Sequence, residues 1–379
     1  MSDEPLRIVH CFRSPVGGIF RHVRDLAEAQ TSAGHLVGIV CDSSTGGVHE
    51  DRLFEAIAPF LALGVTRTPM QRHIGFGDLA AARRTLGILH RMKADVLHGH
   101  GAKGGVYARL FGTSMRLGGR RVARLYSPHG GSLHYDPRTM TGRMFFALER
   151  MMERFGDGVL FVSDHERRTF INKIGEPRGR TTLVYNGLRD EEFVPVEAMQ
   201  DAADFLYIGM MRDLKGPDLF IDALADTSRT TRLPVSAAMV GAGDDLPRYR
   251  EQVRLLGLSD HVRFFDPMPA RDAFRLARHV VVPSRAEAMP YIVLEALAAT
   301  KPMIASMVGG IPEIFDEWRH GLVRPTVEQI AQKMREALDD PIQFAGLMPP
   351  AESLRARFSA GVMATAIERT YREALRRHS

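Results

Sequence analysis

Glu287 and Glu295 stand on either side of Pro290 in the stretch PSRAEAMPYIVLEALA. Proline suits the first helical position, because its fixed φ fits the helix and its missing N–H would have had no partner there. A helix beginning at Pro290 points the backbone N–H groups of Tyr291 and Ile292 outward from the positive end of its dipole, a ready place for a phosphate. Eight residues at helical rise span at most about 12 Å, so the two carboxylates can hold two different groups. A carboxylate beside a diphosphate is repulsive unless it faces hydroxyl donors, and an acid on a ribose diol is one way to hold a nucleotide. Glu295 therefore suits a ribose and Glu287 a sugar. The plain alternative is an amphipathic helix with two surface acids.

Arg212 and Lys215 lie three apart in MMRDLKGPDLF, just after a strand-like run. They can converge on one anion, the first as a planar fork and the second as a compact charge, each bond to phosphate being worth about 1.5 to 3 kcal/mol. A surface basic pair is the other reading. Gly17 and Gly18 in SPVGGIFRHV precede a helix, so backbone can approach a ligand without a Cβ in the way; a tight turn would need the same residues. The G-x-G-x-x-G pattern is missing there and in GAGDD at 241–245, which counts against a dehydrogenase. His129 in SPHGG ends a strand ahead of two glycines and can bond a sugar hydroxyl. His98 and His100 share a strand face in HGHGAKGG, with Lys103 entering the next helix. No carboxylate or cysteine sits at ligand spacing, so a structural or acceptor-facing role is expected rather than a metal site. Nor is there an Asp-x-Asp pattern, so the expected metal is none: Lys, Arg and helix ends must neutralise any diphosphate.

These residues need elements to position them. The run LRIVHCF, a glycine loop, a helix over residues 19–33 and LVGIVC form a βαβ unit. Further strands are expected at ADVLHGH, RRVARLYS, DGVLFVS and TTLVYN, then at FLYIGM, VSAAMVG, HVRFF, HVVVPS and PMIASM, separated by helical or loop segments. Ser163 with Glu166 reads as a capping box. Such alternation predicts parallel sheets covered on both faces. The fold class is thus α/β, two facing Rossmann-like doubly wound domains with a cleft between them. Asn186-Gly187 marks a turn and residues 189–204 a linker. The domains are expected at residues 1–190 and 200–350, the second carrying Arg212, Lys215, Glu287 and Glu295. Residues 351–379 end the chain in a long amphipathic helix, 350–376, that crosses back to the first domain.

The chain has 379 residues, 45% hydrophobic and 25% charged, ordinary for a folded globular protein of two domains. Two cysteines, Cys11 and Cys41, on buried strands make a disulfide framework improbable, and both are expected reduced. With no long apolar run and no signal peptide before the first strand, the expected compartment is the cytosol. Residues 51–150 hold 16 Lys or Arg against 6 Asp or Glu, including Lys103, Arg109, Arg116, Arg120, Arg121 and Arg124. An anionic partner, either the inner leaflet of the plasma membrane or a lipid diphosphate acceptor, suits such a segment; a solvated basic face is the alternative. Nucleic acid is not expected, since no RNP, zinc-finger or helix-turn-helix context surrounds these residues.

Taken in order, PVGGIFRHVRDLAEAQTSAGH, VYNGL, IGMMRDLKGPDLFIDAL and VPSRAEAMPYIVLEALAATKPMIASMVGGIPEIF resemble glycosyltransferase family 4, the retaining GT-B enzymes, over essentially the whole chain. The resemblance implies that Glu295 binds the ribose, Arg212 and Lys215 the diphosphate, Gly18 the phosphate or donor sugar, and Glu287 and His129 the sugar. It implies no cofactor beyond a UDP- or GDP-sugar donor, and a glycan or lipid-linked glycan as acceptor, of exopolysaccharide or lipopolysaccharide type. An epimerase or phosphorylase of the same plan, or a non-catalytic nucleotide-sugar-binding subunit, is the alternative. Two departures stand out. Ala288 replaces a glycine usual after the first glutamate, where a methyl narrows donor choice or matters little if φ stays negative. Thr300 replaces a glycine usual before KP, where a left-handed helix cap is preferred.

Overall fold

A computed structural model describes residues 4–13, 17–45, 47–69, 76–232 and 234–376. Seven strands, β1 (Arg7–Phe12), β2 (Leu36–Asp42), β3 (Gly64–Thr68), β4 (Val96–His100), β5 (Ala123–Ser127), β6 (Gly158–Phe161) and β7 (Arg180–Leu183), form one sheet in the order β3-β2-β1-β4-β5-β6-β7. Every pairing is parallel. Five more, β8 (Ala203–Ile208), β9 (Ala237–Val240), β10 (Val262–Phe265), β11 (Ala277–Val282) and β12 (Met303–Ala305), form a second parallel sheet in the order β10-β9-β8-β11-β12. The doubly wound reading holds for both. Central strands such as β4 and β9 are buried from end to end, which is why their sequences read as apolar runs rather than alternations. Only β3 was not foreseen: GVTRT is a short edge strand, mostly half-exposed, with no such run.

Each sheet reverses its strand order once, between β1 and β4 and between β8 and β11. Ligands bind such sheets outside the carboxyl ends of the strands at that reversal.

The chain divides into two compact units, one running to Gly187 and resuming at Ala360, the other Leu188–Ser359. The expected final helix over 350–376 is in fact two, Ala351–Phe358 and Ala360–Arg376, parted by an extended Ser359. The first belongs to the second unit. The other lies on the first unit, where Met363, Ile367, Tyr371 and Ala374 join a core with Leu6, Ile8, Val96 and Leu160. The segment expected as a linker is bound to the second unit: Val196 N donates to Ala299 O at 3.0 Å and Met199 N to Arg275 O at 2.8 Å.

The arginines expected to face an anion are committed internally. Arg109 is fully buried, donating to Glu149 at 3.0 Å and Glu153 at 3.4 Å and lying over the Tyr126 ring at 4.2 Å. Arg116 and Arg124 both hold Asp157, Arg120 donates to Lys93 O, and Arg121 to Leu375 O. Cys11 and Cys41 are free, buried thiols, each pushed up to about 12 by burial, so both are inert at neutral pH.

Candidate functional site

In the second unit the residues with the most chemistry cluster where β8 and β11 end. After β8 the chain turns through Arg212 and a 3-10 turn, Asp213–Lys215, then enters the helix Pro217–Thr231 at Gly216. After β11 it runs through Ser284 and Glu287 into the helix Tyr291–Ala298. Adjacent parallel strands bring the two loops together, and Arg285 N donates to Leu214 O at 2.9 Å between them.

At the centre Lys215 Nζ donates to Glu287 Oε1 at 2.5 Å and Ser284 Oγ donates to the same oxygen at 2.7 Å. Sequence spacing had given Lys215 and Glu287 separate partners, and the fold makes them an ion pair. Lys215 carries three donors, so this bond leaves capacity for a second anion. Arg212 is exposed on the same loop, and Glu295 lies half-buried one turn inside the helix. Tyr291 begins that helix. Pro290 is its cap rather than its first residue, because ψ of 123° keeps it extended, and the amides of Tyr291 and Ile292 fall in the first turn as expected.

Two glycines close the loops to any side chain. A Cβ on Gly216, at φ +71°, would lie 2.3 Å from Pro283 O, and one on Gly309, at φ +60°, would lie 1.7 Å from Glu287 O. Gly309 thereby presses the loop after β12 against the backbone of Glu287. A bidentate pair, Arg285 to Asp218 at 2.8 and 2.6 Å, ties the β11 loop to the helix after Gly216. Neither Ser284 nor Arg285 was singled out from the sequence, although both stand in the motif beside Glu287. Ala288 is absent from the residues with positive φ, so its methyl brings no backbone strain. Thr300 takes φ +56°. Its N–H donates to Leu297 O at 3.0 Å and that of Lys301 to Ala296 O at 2.8 Å, the two bonds of a Schellman cap.

In the first unit Gly17 and Gly18 are the exposed first residues of the helix Gly17–Ser32, Gly17 at φ +69°. Residues 14–16 of the glycine loop lie outside the described residues. His129 follows β5 at φ +50°, a left-handed value few non-glycine residues adopt. Behind it runs a line of imidazoles: His129 Nε2 to His100 Nδ1 at 3.0 Å, His100 Nε2 to His10 Nδ1 at 3.0 Å, and His10 Nε2 to Gln30 Oε1 at 2.9 Å. Burial lowers His10 to about 4 and holds His100 and His129 well below the usual range, so all three are neutral at pH 7. A neutral imidazole has one donor and one acceptor. With Gln30 Oε1 accepting from His10, each ring donates from Nε2, and His129 presents Nδ1 as an acceptor. His98 is bound separately, to Tyr371 OH at 2.6 Å and Ser127 Oγ at 2.9 Å, a structural role. Two trios, His10 with His98 and His100 and His22 with His100 and His129, have nitrogens within 4.8 Å of one another. The 3.0 Å spacings within the line are those of N–H···N hydrogen bonds. His10 and His22 were missed because nothing in VHCF or FRHV separates a buried imidazole from a surface one, and Gln30 because nothing in DLAEAQ marks its amide as buried.

The family described as Glycosyltransferase Family 4 matches residues 16–192, and the one described as Glycosyl transferases group 1 matches residues 189–358. The D-inositol 3-phosphate glycosyltransferase of Frankia alni is 30% identical over 232 residues, 55% of this chain and 57% of that protein. Its counterpart in Thermobispora bispora is 30% identical over 237 residues, 56% of this chain and 55% of that protein. The chain thus aligns with little more than half the length of these relatives. Among solved structures, Anabaena Alr3699/HepE in complex with UDP and glucose superposes with a TM-score of 0.78 at 19% identity, covering 96% of this chain and 99% of that one. WaaG, a glycosyltransferase involved in lipopolysaccharide biosynthesis, superposes at 0.69 and 16% identity, covering 96% and 98%. At such identities the likeness is one of fold.

Proposed function

Because this chain belongs to the glycosyltransferases of group 1 and family 4, we propose that it moves a hexosyl group from a UDP- or GDP-sugar to a hydroxyl of a growing, lipid-linked cell-surface glycan. The observation that carries this reading is the Lys215, Ser284 and Glu287 cluster at the strand-order reversal of the second sheet. Lys215 and Arg212 neutralise the donor's diphosphate, helped by the first-turn amides of Tyr291 and Ile292. Glu295 accepts from the ribose hydroxyls. Glu287, its Oε1 held by Lys215 and Ser284, turns Oε2 to a sugar hydroxyl. In the first unit, taken by itself, we assign the backbone at Gly17 and Gly18 to close approach by a phosphate or sugar, and His129 Nδ1 to accepting from a sugar hydroxyl.

The transfer retains configuration and needs no metal. The bond from the anomeric carbon to the diphosphate oxygen breaks as that oxygen takes the acceptor's proton. The acceptor oxygen then bonds the same face of the sugar. Catalysis rests on stabilising the leaving group, the place where preorganised charge is most effective. Relatives named D-inositol 3-phosphate glycosyltransferase support sugar transfer, and a fold neighbour in complex with UDP and glucose suits a nucleotide-sugar donor. We place the enzyme at the cytoplasmic face of the membrane.

The test is incubation with UDP- and GDP-sugars and a membrane extract. Nucleotide release that requires both protein and acceptor supports transfer, and release from no donor overturns it. Calorimetry of Glu295→Ala with the active nucleotide should register weaker binding, whereas unchanged affinity removes Glu295 from the ribose.

A further inference from the structure

The helix Met140–Met152 has two apolar faces, and among the described residues only one is packed inside the protein. Phe146 and Met152 are buried, and Glu149 is turned inward, where it accepts from Arg109, Tyr126 OH and Ser132 Oγ. The opposite side exposes Met140 at 80%, Met144 at 62%, Leu148 at 40% and Met151 at 47%. Steps of four, four and three residues put these side chains in one stripe along the helix. Tyr135, 41% exposed, stacks on Phe145 on the flank of the same helix, with ring centroids 4.6 Å apart. Contiguous apolar surface of this kind marks an interaction site.

Its charge says what the partner is. Arg138, Arg143 and Arg154 are exposed along this segment. The acids of the same stretch, Glu149 and Glu153, are buried on Arg109. Asp136 is the one exposed acid among the described residues from Tyr135 to Phe155, and it accepts from the backbone N–H of Arg138 at 2.8 Å. The face is therefore apolar at its centre and cationic at its edges. Thirteen residues span only about 20 Å, too short to cross a bilayer and suited to lie in its interface. Methionine adapts to fluid surroundings without needing a shaped pocket.

We propose that this outward face of the helix Met140–Met152, with Arg138, Arg143 and Arg154, docks on an anionic phospholipid bilayer. The helix is held to the rest of its unit by the buried Arg109–Glu149 pair, so the surface is preformed. Docking stands apart from the transfer reaction. A chain that binds vesicles but releases no nucleotide keeps this inference and loses the one above.

The experiment is flotation of the full chain with vesicles of phosphatidylglycerol and phosphatidylethanolamine, against vesicles of phosphatidylcholine alone. The protein should float with the anionic vesicles. Met144→Glu with Met151→Glu should lower partitioning at least about tenfold, and Arg143→Gln with Arg154→Gln by roughly 10- to 30-fold at low salt. The arginine effect should shrink at about 0.5 M salt, while the methionine effect persists. All four positions are exposed, so unchanged circular dichroism and thermal midpoint certify the fold. The inference is overturned if the wild type stays with the buffer, if it floats equally with neutral vesicles, or if folded variants bind as the wild type does. It is overturned equally if the methionine substitutions split a dimer seen by light scattering, since a second copy would then cover the face.

Discussion

Lys215 and Glu287 neutralise each other at 2.5 Å, and that pairing sets what a substitution at either position does. Lys215→Ala removes a charge from the proposed diphosphate site and also strands a carboxylate beside it. Both Lys215→Ala and Arg212→Ala should lower turnover by about 100- to 1000-fold. Calorimetry should record weaker nucleotide binding in both, and more in Lys215→Ala, where the stranded Glu287 adds repulsion. At Thr300 the cap geometry demands a left-handed residue, and a β-branched side chain there is strained. Thr300→Gly should raise the urea midpoint, with a gain of about 1 kcal/mol. That departure was readable because a glycine is usual there and the backbone keeps its conformation. The Lys215–Glu287 bond was not. The two residues are 72 positions apart, and their contact depends on β8 and β11 being neighbours, which neither local motif states.

Where β1, β4, the loop after β5 and the helix Gly17–Ser32 meet, buried histidines replace the usual apolar filling. Burial lowers His10 and His22 to about 4 and holds His98, His100 and His129 well below their ordinary value. The unfolded chain binds protons near pH 6.5 that the fold refuses. Stability should therefore be full above about pH 6.5 and fall as pH drops toward 4, at about 1.4 kcal/mol per pH unit for each such histidine. Urea titrations across that window would measure the slope, and His22→Gln should reduce it by one proton's share. Element positions followed readily from apolar runs because a parallel sheet buries both faces of its central strands. Side-chain commitments between elements did not. Charge counting found the basic segment, but Arg109, Arg116 and Arg124 turn inward on Glu149, Glu153 and Asp157, whereas the exposed arginines lie just after them, beside a methionine stripe.

At the scale of the molecule, the first unit is discontinuous in sequence and the second is not. Its sheet depends on the helix Ala360–Arg376, whose Met363, Ile367, Tyr371 and Ala374 complete a core begun at Leu6. Truncation after Ser359 strips three large side chains and one small one from that core, a loss of roughly 5 to 9 kcal/mol at about 1.5 to 3 kcal/mol per large side chain, comparable to a whole domain's stability. Limited proteolysis of the truncated chain should digest the first unit while Leu188–Ser359 persists as a resistant fragment. Equal resistance of both units would contradict this dependence. The division was partly legible: the Asn186-Gly187 turn marks its first boundary, but the apolar pattern of residues 350–376 ran through the break at Ser359 without a signal.

The late arrival of that helix bears on synthesis. Units usually mature in the order in which they leave the ribosome, yet here the half translated first must wait for the half translated second. The histidine-lined sheet emerges early and stays incomplete until the helix Ala360–Arg376 has cleared the exit tunnel, so Leu188–Ser359 should reach its native state before the segment that precedes it.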